Sequence, residues 1–247
     1  MIDWSPLHKA LSRCRATQTP VPFWWRDDDA IAPTPELDQL TKLSEQTGVP
    51  IYLACIPETT EPALVPYVKD RSAFLIPCVH GWSHKNTAPS DQKKSEFGIE
   101  NEEGNNALAH GIKHMSTLFQ DTLFPFFVPP WNRMHPNYQN QLARLDFAGF
   151  STFGPRSGTP PLPQINTHID PIFWRGHRGL VDPALLIAGT AEILNARCDG
   201  LQDPSEPLGY LTHHLVHTPD IWEFSAAFTT EMLDGGAFPA NLKGILK

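Results

Sequence analysis

The feature that most limits what this chain can become is a repeated switch between two hydrophobic periods. Six short runs are rich in β-branched and aromatic residues: "VPFWW" (21–25), "VPIYLACI" (49–56), "AFLIPCV" (73–79), "FPFFV" (124–128), "GFSTF" (149–153) and "LGYLTH" (208–213). Each reads as a strand. Between them lie stretches with helical spacing. The first covers 5–16, with Ser5 as N-cap and Pro6 in the first turn. The next opens at Thr34-Pro35, places Leu37, Leu40 and Leu43 on one face and stops at Gly48. A broken helix over 61–70 follows, then helices over 104–119, 135–146, 182–197 and 220–233, while "INTHID" (165–170) reads as a further short strand. Strands alternating with helices predict an α/β fold, because a parallel neighbour is reached only through a long crossover. Six or seven such units suit a closed barrel and an open doubly wound sheet alike. In both, the carboxyl ends of the strands share one face, where sites form.

A length of 247 residues predicts one domain over 1–247. The formal net charge of -8, with no Lys/Arg cluster, argues against nucleic acid or an anionic membrane as partner. The N-terminus "MIDWSPLHKA" has no apolar signal region, and no run is long enough to span a bilayer. Cys14, Cys55, Cys78 and Cys198 form no C-x-x-C pair, and Cys55 and Cys78 sit in apolar runs. These features predict a reduced, cytoplasmic protein.

The chemistry gathers where strands end. The first runs into Asp27-Asp28-Asp29, the third into "HGWSH" (His80 to His84), the fourth into "PPWNR" and the last into "THHLVH", with His213, His214 and His217. Three adjacent carboxylates repel one another unless a cation, hydrogen bonds or water relieves them. Histidines four apart lie on one side of a helical turn and can reach one ion. Two histidines and one carboxylate leave a coordination position open, as in catalytic metal sites. Trp24 and Trp25 lie within a strand, where core packing is the expectation for at least one. The "DQKKSEFG" stretch (91–98) reads as a solvated loop or helix start, placed after the histidine pair where it could act as a lid, and Asp203 and Glu206 read as solvated charge.

With these motifs in this order, the chain from about 20 to 217 resembles the polysaccharide deacetylases of the NodB-homology type, carbohydrate esterase family 4. "RDDD" resembles the family's Asp-Asp motif, "HGWSH" its H-x-x-x-H motif, "VPPW" its R-x-P-W/Y motif and "LTHH" its Leu-x-x-His motif. The resemblance implies a distorted (β/α) barrel of about seven strands and a divalent metal, commonly zinc. Carried onto this sequence, it makes Asp28 the general base and Asp29, His80 and His84 the metal ligands. A register shifted back by one instead uses Asp27 and Asp28. His213 matches the general acid, with His214 as alternative. The family's motif arginine is replaced by Val128, so Arg26 or Arg133 would have to supply its charge. The motif that supports the general acid is echoed by "HIDPIFW", with Asp170 its candidate member.

The implied chemistry is hydrolysis of an acetyl group from an N- (or O-) acetylated carbohydrate. The metal activates water, Asp28 takes its proton, a backbone N–H near Trp131 helps hold the oxyanion, and His213 protonates the leaving group. Trp82, Trp131 and Trp174 are the candidates for stacking on a sugar face. Two other functions fit the same residues: hydrolysis of a small non-sugar amide, and sugar binding without turnover, which the loss of the motif arginine at Val128 would permit.

Overall fold

The computed structural model of the chain describes residues 2–156 and 158–246. Its strands are β1 (Pro22–Ala30), β2 (Ile51–Cys55), β3 (Leu75–His80), β4 (Phe126–Val128), β5 (Gly149–Phe150), β6 (Leu208–Thr212) and β7 (Phe238–Pro239). The helices are α1 (Ser5–Ala16), α2 (Pro35–Thr47), α3 (Leu64–Asp70), α4 (Glu102–Phe119), α5 (Tyr138–Arg144), α6 (Pro183–Cys198), α7 (Pro219–Asp234) and α8 (Leu242–Ile245). All pairings between named strands are parallel, in the order β5-β4-β3-β2-β1-β6. β7 pairs with Pro22 and Phe23 at the start of β1, where β2 has not yet begun. The sheet curls into a half-barrel wrapped by helices.

Alternation along the strands divides the core in two. Phe23, Trp25, Ile51, Leu53, Val79 and Phe127 face the helices. Trp24, Tyr52, Ala54, Cys78, Phe126 and Val128 fill the interior of the curl. Both tryptophans are fully buried, with the indole N–H of Trp24 donating to the Asn166 carbonyl (3.0 Å) and that of Trp25 to Thr212 Oγ1 (2.8 Å). α8 closes the lower end of the interior, where the Leu242 N–H donates to the Tyr52 hydroxyl at 2.9 Å.

Residues 165–170 are not the strand their sequence predicts. The N–H groups of His168 and Ile169 both donate to the Gly209 carbonyl, at 2.7 and 3.1 Å, which breaks the regular ladder. The segment instead forms a strap between the free edges of β5 and β6, touching them through single bridges such as Phe150 to Gln164 and Ile169 to Tyr210. Gly209 permits this approach, because a Cβ there would lie 2.5 Å from the Asn166 carbonyl oxygen. The strap also explains Glu206, which is buried rather than solvated: it accepts from the N–H groups of Arg156 and Asn166, both at 3.0 Å.

Other differences are local. Trp4, not Ser5, is the N-cap of α1 and offers no side-chain cap; the Ser5 N–H, at the first helical position, donates to Asp3 Oδ1 at 2.9 Å. Cys14 and Cys198, remote in sequence, meet between α1 and α6 as free thiols with their sulfurs 3.3 Å apart. Among the described residues, no helix is long and apolar enough to cross a membrane.

Candidate active site

Strict alternation along β1 would put Asp28 inside the curl and both Asp27 and Asp29 outside it. The structure departs from this at one point. Pairing with β2 advances three residues from Asp27 to Ala30 while β2 advances two, from Leu53 to Cys55. The extra residue is a bulge, and Asp29 within it has a left-handed backbone (φ 72°). Asp28 and Asp29 therefore both line one cleft above the interior. Asp27 does not; it is wholly buried on the helix side. It accepts from Thr212 Oγ1 (2.6 Å), the His214 N–H (3.0 Å) and His214 Nδ1 (2.5 Å), which stitches the end of β6 to β1. Burial opposes charge on both members of this pair, but their mutual attraction prevails. It holds Asp27 below the ordinary carboxylate value and raises His214 above the ordinary imidazole value.

Arg26 points into the interior like Asp28, two residues on, and is fully buried. Its Nη2 donates to Asp28 Oδ2 at 3.0 Å, and Nε stands 2.9 Å from Oδ1 without hydrogen-bond alignment. The same guanidinium donates to Asn132 Oδ1 (2.6 Å) and Ser151 Oγ (2.7 Å). Arg133, the other candidate for this role, stands at the cleft wall with Nη1 on the Lys94 carbonyl (2.8 Å) and makes no contact with Asp28. Of the two arginines expected to stand in for a positive charge at Val128, Arg26 on β1 is the one in contact with Asp28.

His80 closes β3 with its Nδ1–H donating to the Val128 carbonyl at 3.0 Å, which leaves Nε2 as the free lone pair. That nitrogen lies 3.1 Å from Asp29 Oδ1, and His84 Nε2 lies 3.3 Å from the same oxygen. One ligand atom from each of the three residues falls within 4.8 Å of the others. Burial disfavours charge on Asp29, but the His80 hydrogen bond and the nearby imidazoles outweigh it and hold the carboxyl well below its usual range. His84 is shifted down, by burial first and then by His80. An oriented imidazole, a second imidazole and an ionised carboxylate form a donor set that fits a divalent cation, with the backbone contact to His80 already in place.

The turn that carries His84 depends on a residue the sequence does not announce. Glu96, read as part of a solvated loop, is buried and accepts from the N–H groups of Ser83 (2.7 Å), Trp82 (3.2 Å) and His84 (3.3 Å) and from Ser83 Oγ (2.8 Å). Its neighbour Phe97 is fully buried and anchors the loop. Gly81 is required beneath it: φ is +60°, and a Cβ would lie 2.3 Å from Glu96 Oε2. The only sequence signal for Glu96 was the apolar residue beside it.

The cleft as a whole, about 600 Å³, has the size of a small-molecule site. His213 lies across from Asp28, its Nε2 3.9 Å from Oδ2, with Trp174 edge-on to its ring at 4.7 Å. Asp170 accepts from Trp174 Nε1 (2.8 Å) and the Ile172 N–H (2.9 Å); burial shifts it upward, against the opposing pull of His213. Trp131 packs on His84 with ring centroids 4.4 Å apart. Five of the eight non-glycine residues with positive φ among those described line this cleft: Asp29, His84, Trp131, Asn132 and Arg178. Backbone strain is concentrated where function would hold it. Besides Asp27, two more candidates fall outside. Trp82 turns away to pack against His110 and His114 of α4, and His214 is taken up by Asp27.

No family model matches the chain, and no curated protein does. Solved structures do. The Bc1960 peptidoglycan N-acetylglucosamine deacetylase matches with a TM-score of 0.56 at 16% identity, over 91% of this chain and 87% of its own. A family 4 acetyl xylan esterase from Clostridium thermocellum, in complex with a cobalt ion, gives 0.52 at 11% identity, over 90% and 89%. BA3943 from Bacillus anthracis, a pseudoenzyme of the same family, gives 0.53 at 11% identity, over 92% and 66%. At these identities the likeness is one of fold: the chain carries the NodB-type half-barrel of the family 4 carbohydrate esterases, on a sequence far diverged from theirs.

Proposed function

We propose that the chain is a metal-dependent hydrolase that removes an acetyl group from an N- (or O-) acetylated carbohydrate. The observation that carries this reading is the convergence of Asp29, His80 and His84 opposite the Arg26–Asp28 pair and His213 in one cleft. Asp29, His80 and His84 would hold the cation, and zinc suits two imidazoles and one carboxylate. The bound cation supplies Lewis acidity toward water and an acyl carbonyl. Asp28 takes the proton from the attacking water as general base. Arg26 orients Asp28 and balances its charge in a buried place. His213 protonates the departing amine or alcohol, with Asp170 acting through Trp174 to fix the ring's surroundings. Trp131 and Trp174 present apolar faces to a sugar.

The test has two parts. Elemental analysis of protein purified without chelators should find about one equivalent of a divalent ion, lost in a D29A/H84A variant. Acetate release from acetylated sugars should stop on chelation and fall by roughly a hundredfold or more in D28N. Metal binding without turnover on acetylated sugars or small amides would favour a binding role, as in a pseudoenzyme. No metal after reconstitution would refute the mechanism.

A further inference from the structure

The cleft holds charge that the hydrolytic residues do not use. Three of the chain's ten arginines, Arg133, Arg175 and Arg178, line it, and among the described residues no lysine does. The carboxylates beside them are already engaged. Asp28 is paired with Arg26, Asp29 with the two histidines, and both oxygens of Asp170 accept from Trp174 and Ile172. Among the described residues, neither Arg175 nor Arg178 forms an ion pair, in a protein whose net charge is -8. On so acidic a chain, unpaired guanidiniums facing one cavity are a local reversal of sign.

Their placement is built into the backbone. Arg175 and Arg178 sit on a tight hairpin closed by the Phe173 N–H on the Gly179 carbonyl (2.9 Å) and by an antiparallel bridge from Ile172 to Leu180. Arg178 takes up a left-handed backbone (φ 56°) at its turn, and its N–H donates to the Phe173 carbonyl at 3.2 Å. Across the cleft, Arg133 is tethered by one nitrogen to the Lys94 carbonyl, which leaves the rest of its fork free. Guanidinium forks match the paired oxygens of carboxylates and phosphates, and such charge-assisted bonds are about twice as strong as neutral ones.

We infer that the substrate is an acetylated molecule that also carries an anionic group, a carboxylate or a phosphate, seated on Arg133, Arg175 and Arg178 while its acetyl group reaches the Asp28–His213 gap. This rests on the hydrolase reading for the role of the acetyl group, but not for binding of the anion. A neutral acetylated sugar would leave Arg175 and Arg178 without an anionic partner and the free side of the Arg133 fork unmatched.

The experiment compares three probes: N-acetylglucosamine, its 6-phosphate, and N-acetylmuramic acid, which adds a carboxylate. Binding is read from tryptophan fluorescence, since Trp131 and Trp174 line the cleft, and acetate release is followed in parallel. At least one anionic probe should bind about tenfold or more tightly than the neutral sugar at low salt. That ratio should shrink in 0.5 M salt and collapse toward one in R175Q/R178Q, whose side chains are exposed and whose replacement should leave the fold intact. Whichever anion wins distinguishes carboxylate from phosphate. Equal binding of all three, no binding of either anion, or a preference that survives in R175Q/R178Q overturns the inference. Acetate released equally from neutral and anionic probes would do so while leaving the hydrolase reading intact. An anionic preference without acetate release from any probe would refute the hydrolase reading alone.

Discussion

Replacing Arg26 with methionine should separate a charge that the fold needs from one that merely decorates the cleft. Arg26 and Asp28 are 0% and 3% exposed, so the guanidinium and carboxylate interact with little screening by water. Their contacts are at 2.9 and 3.0 Å, and opposite charges about 4 Å apart at an effective dielectric near 20 attract by about 4 kcal/mol. Removing one partner of a buried pair costs about 3–5 kcal/mol, because the other charge is left uncompensated. R26M also deprives Asn132 and Ser151 of their donor. For a chain of this length the loss corresponds to a fall in Tm of about 6–20 °C.

Urea unfolding of R26M, D28N and R26M/D28N gives the cycle. The double variant should be less destabilised than the sum of the singles by more than about 1 kcal/mol. An R26M/D28L variant, which removes both charges and fills the space with apolar atoms, should recover much of what R26M loses. R133M, altering an exposed side chain, should stay within about 0.5 kcal/mol of the parent protein. A loss below about 1 kcal/mol for R26M, or singles that simply add, would refute the argument that this pair stands in for the arginine missing at Val128.

Further outcomes follow from the same geometry. E96Q should weaken metal affinity by about 10- to 100-fold, measured by competition with a chelating dye, because Glu96 holds three N–H groups of the turn bearing His84; unchanged affinity would demote it to a packing residue. W174A should weaken sugar binding by about fivefold or more, whereas W82A should alter it less than twofold, since Trp82 packs on α4 outside the cleft. Burial lowers His217 to about 4, against the opposing pull of Asp27, so the folded state keeps it neutral where the unfolded chain protonates it. Its contribution is complete above pH ~6.5 and is lost as pH falls toward 4, by up to about 3 kcal/mol. Urea titrations of the parent and H217Q should therefore converge in their pH slopes above that window and diverge within it.

Much of this architecture was legible because strand and helix periods alternate cleanly through the first 130 residues, and the polar motifs stand at the carboxyl ends of apolar runs. His80 and His84 could be paired only together with the aspartate run on another strand end, and the two rings meet not across a helical turn but through a loop with left-handed backbone at Gly81 (φ 60°) and His84 (φ 56°). What stayed hidden depended on contacts between distant segments. Glu96 sits in a polar run like any solvated loop, and only the folded turn shows that three N–H groups have no other acceptor nearby. Glu206 was hidden for the same reason: its partners are Arg156, in the loop after β5, and Asn166, on the strap between β5 and β6, a segment whose broken ladder no propensity could anticipate. β7, two residues long, is below the length at which a period can be read.

The run of three aspartates shows where reading by period ends. A regular strand would divide them by parity, with the outer two together and the middle one alone. The bulge instead groups the second and third in the cleft and leaves the first behind the sheet, and no single residue in "RDDDA" announces it. Its physical origin lies in what each carboxylate meets. Asp27 is fixed by Thr212 and His214, Asp28 by Arg26, and Asp29 by two imidazoles from β3 and the turn after it. Three adjacent like charges are tolerated because each faces a separate cationic or donor partner, and the one strained backbone at Asp29 is what sends the third to a different partner from the first. Asp27 therefore ties the turn that presents His213 to the strand that presents Asp28, so that these two side chains are held by one buried network rather than by two independent loops.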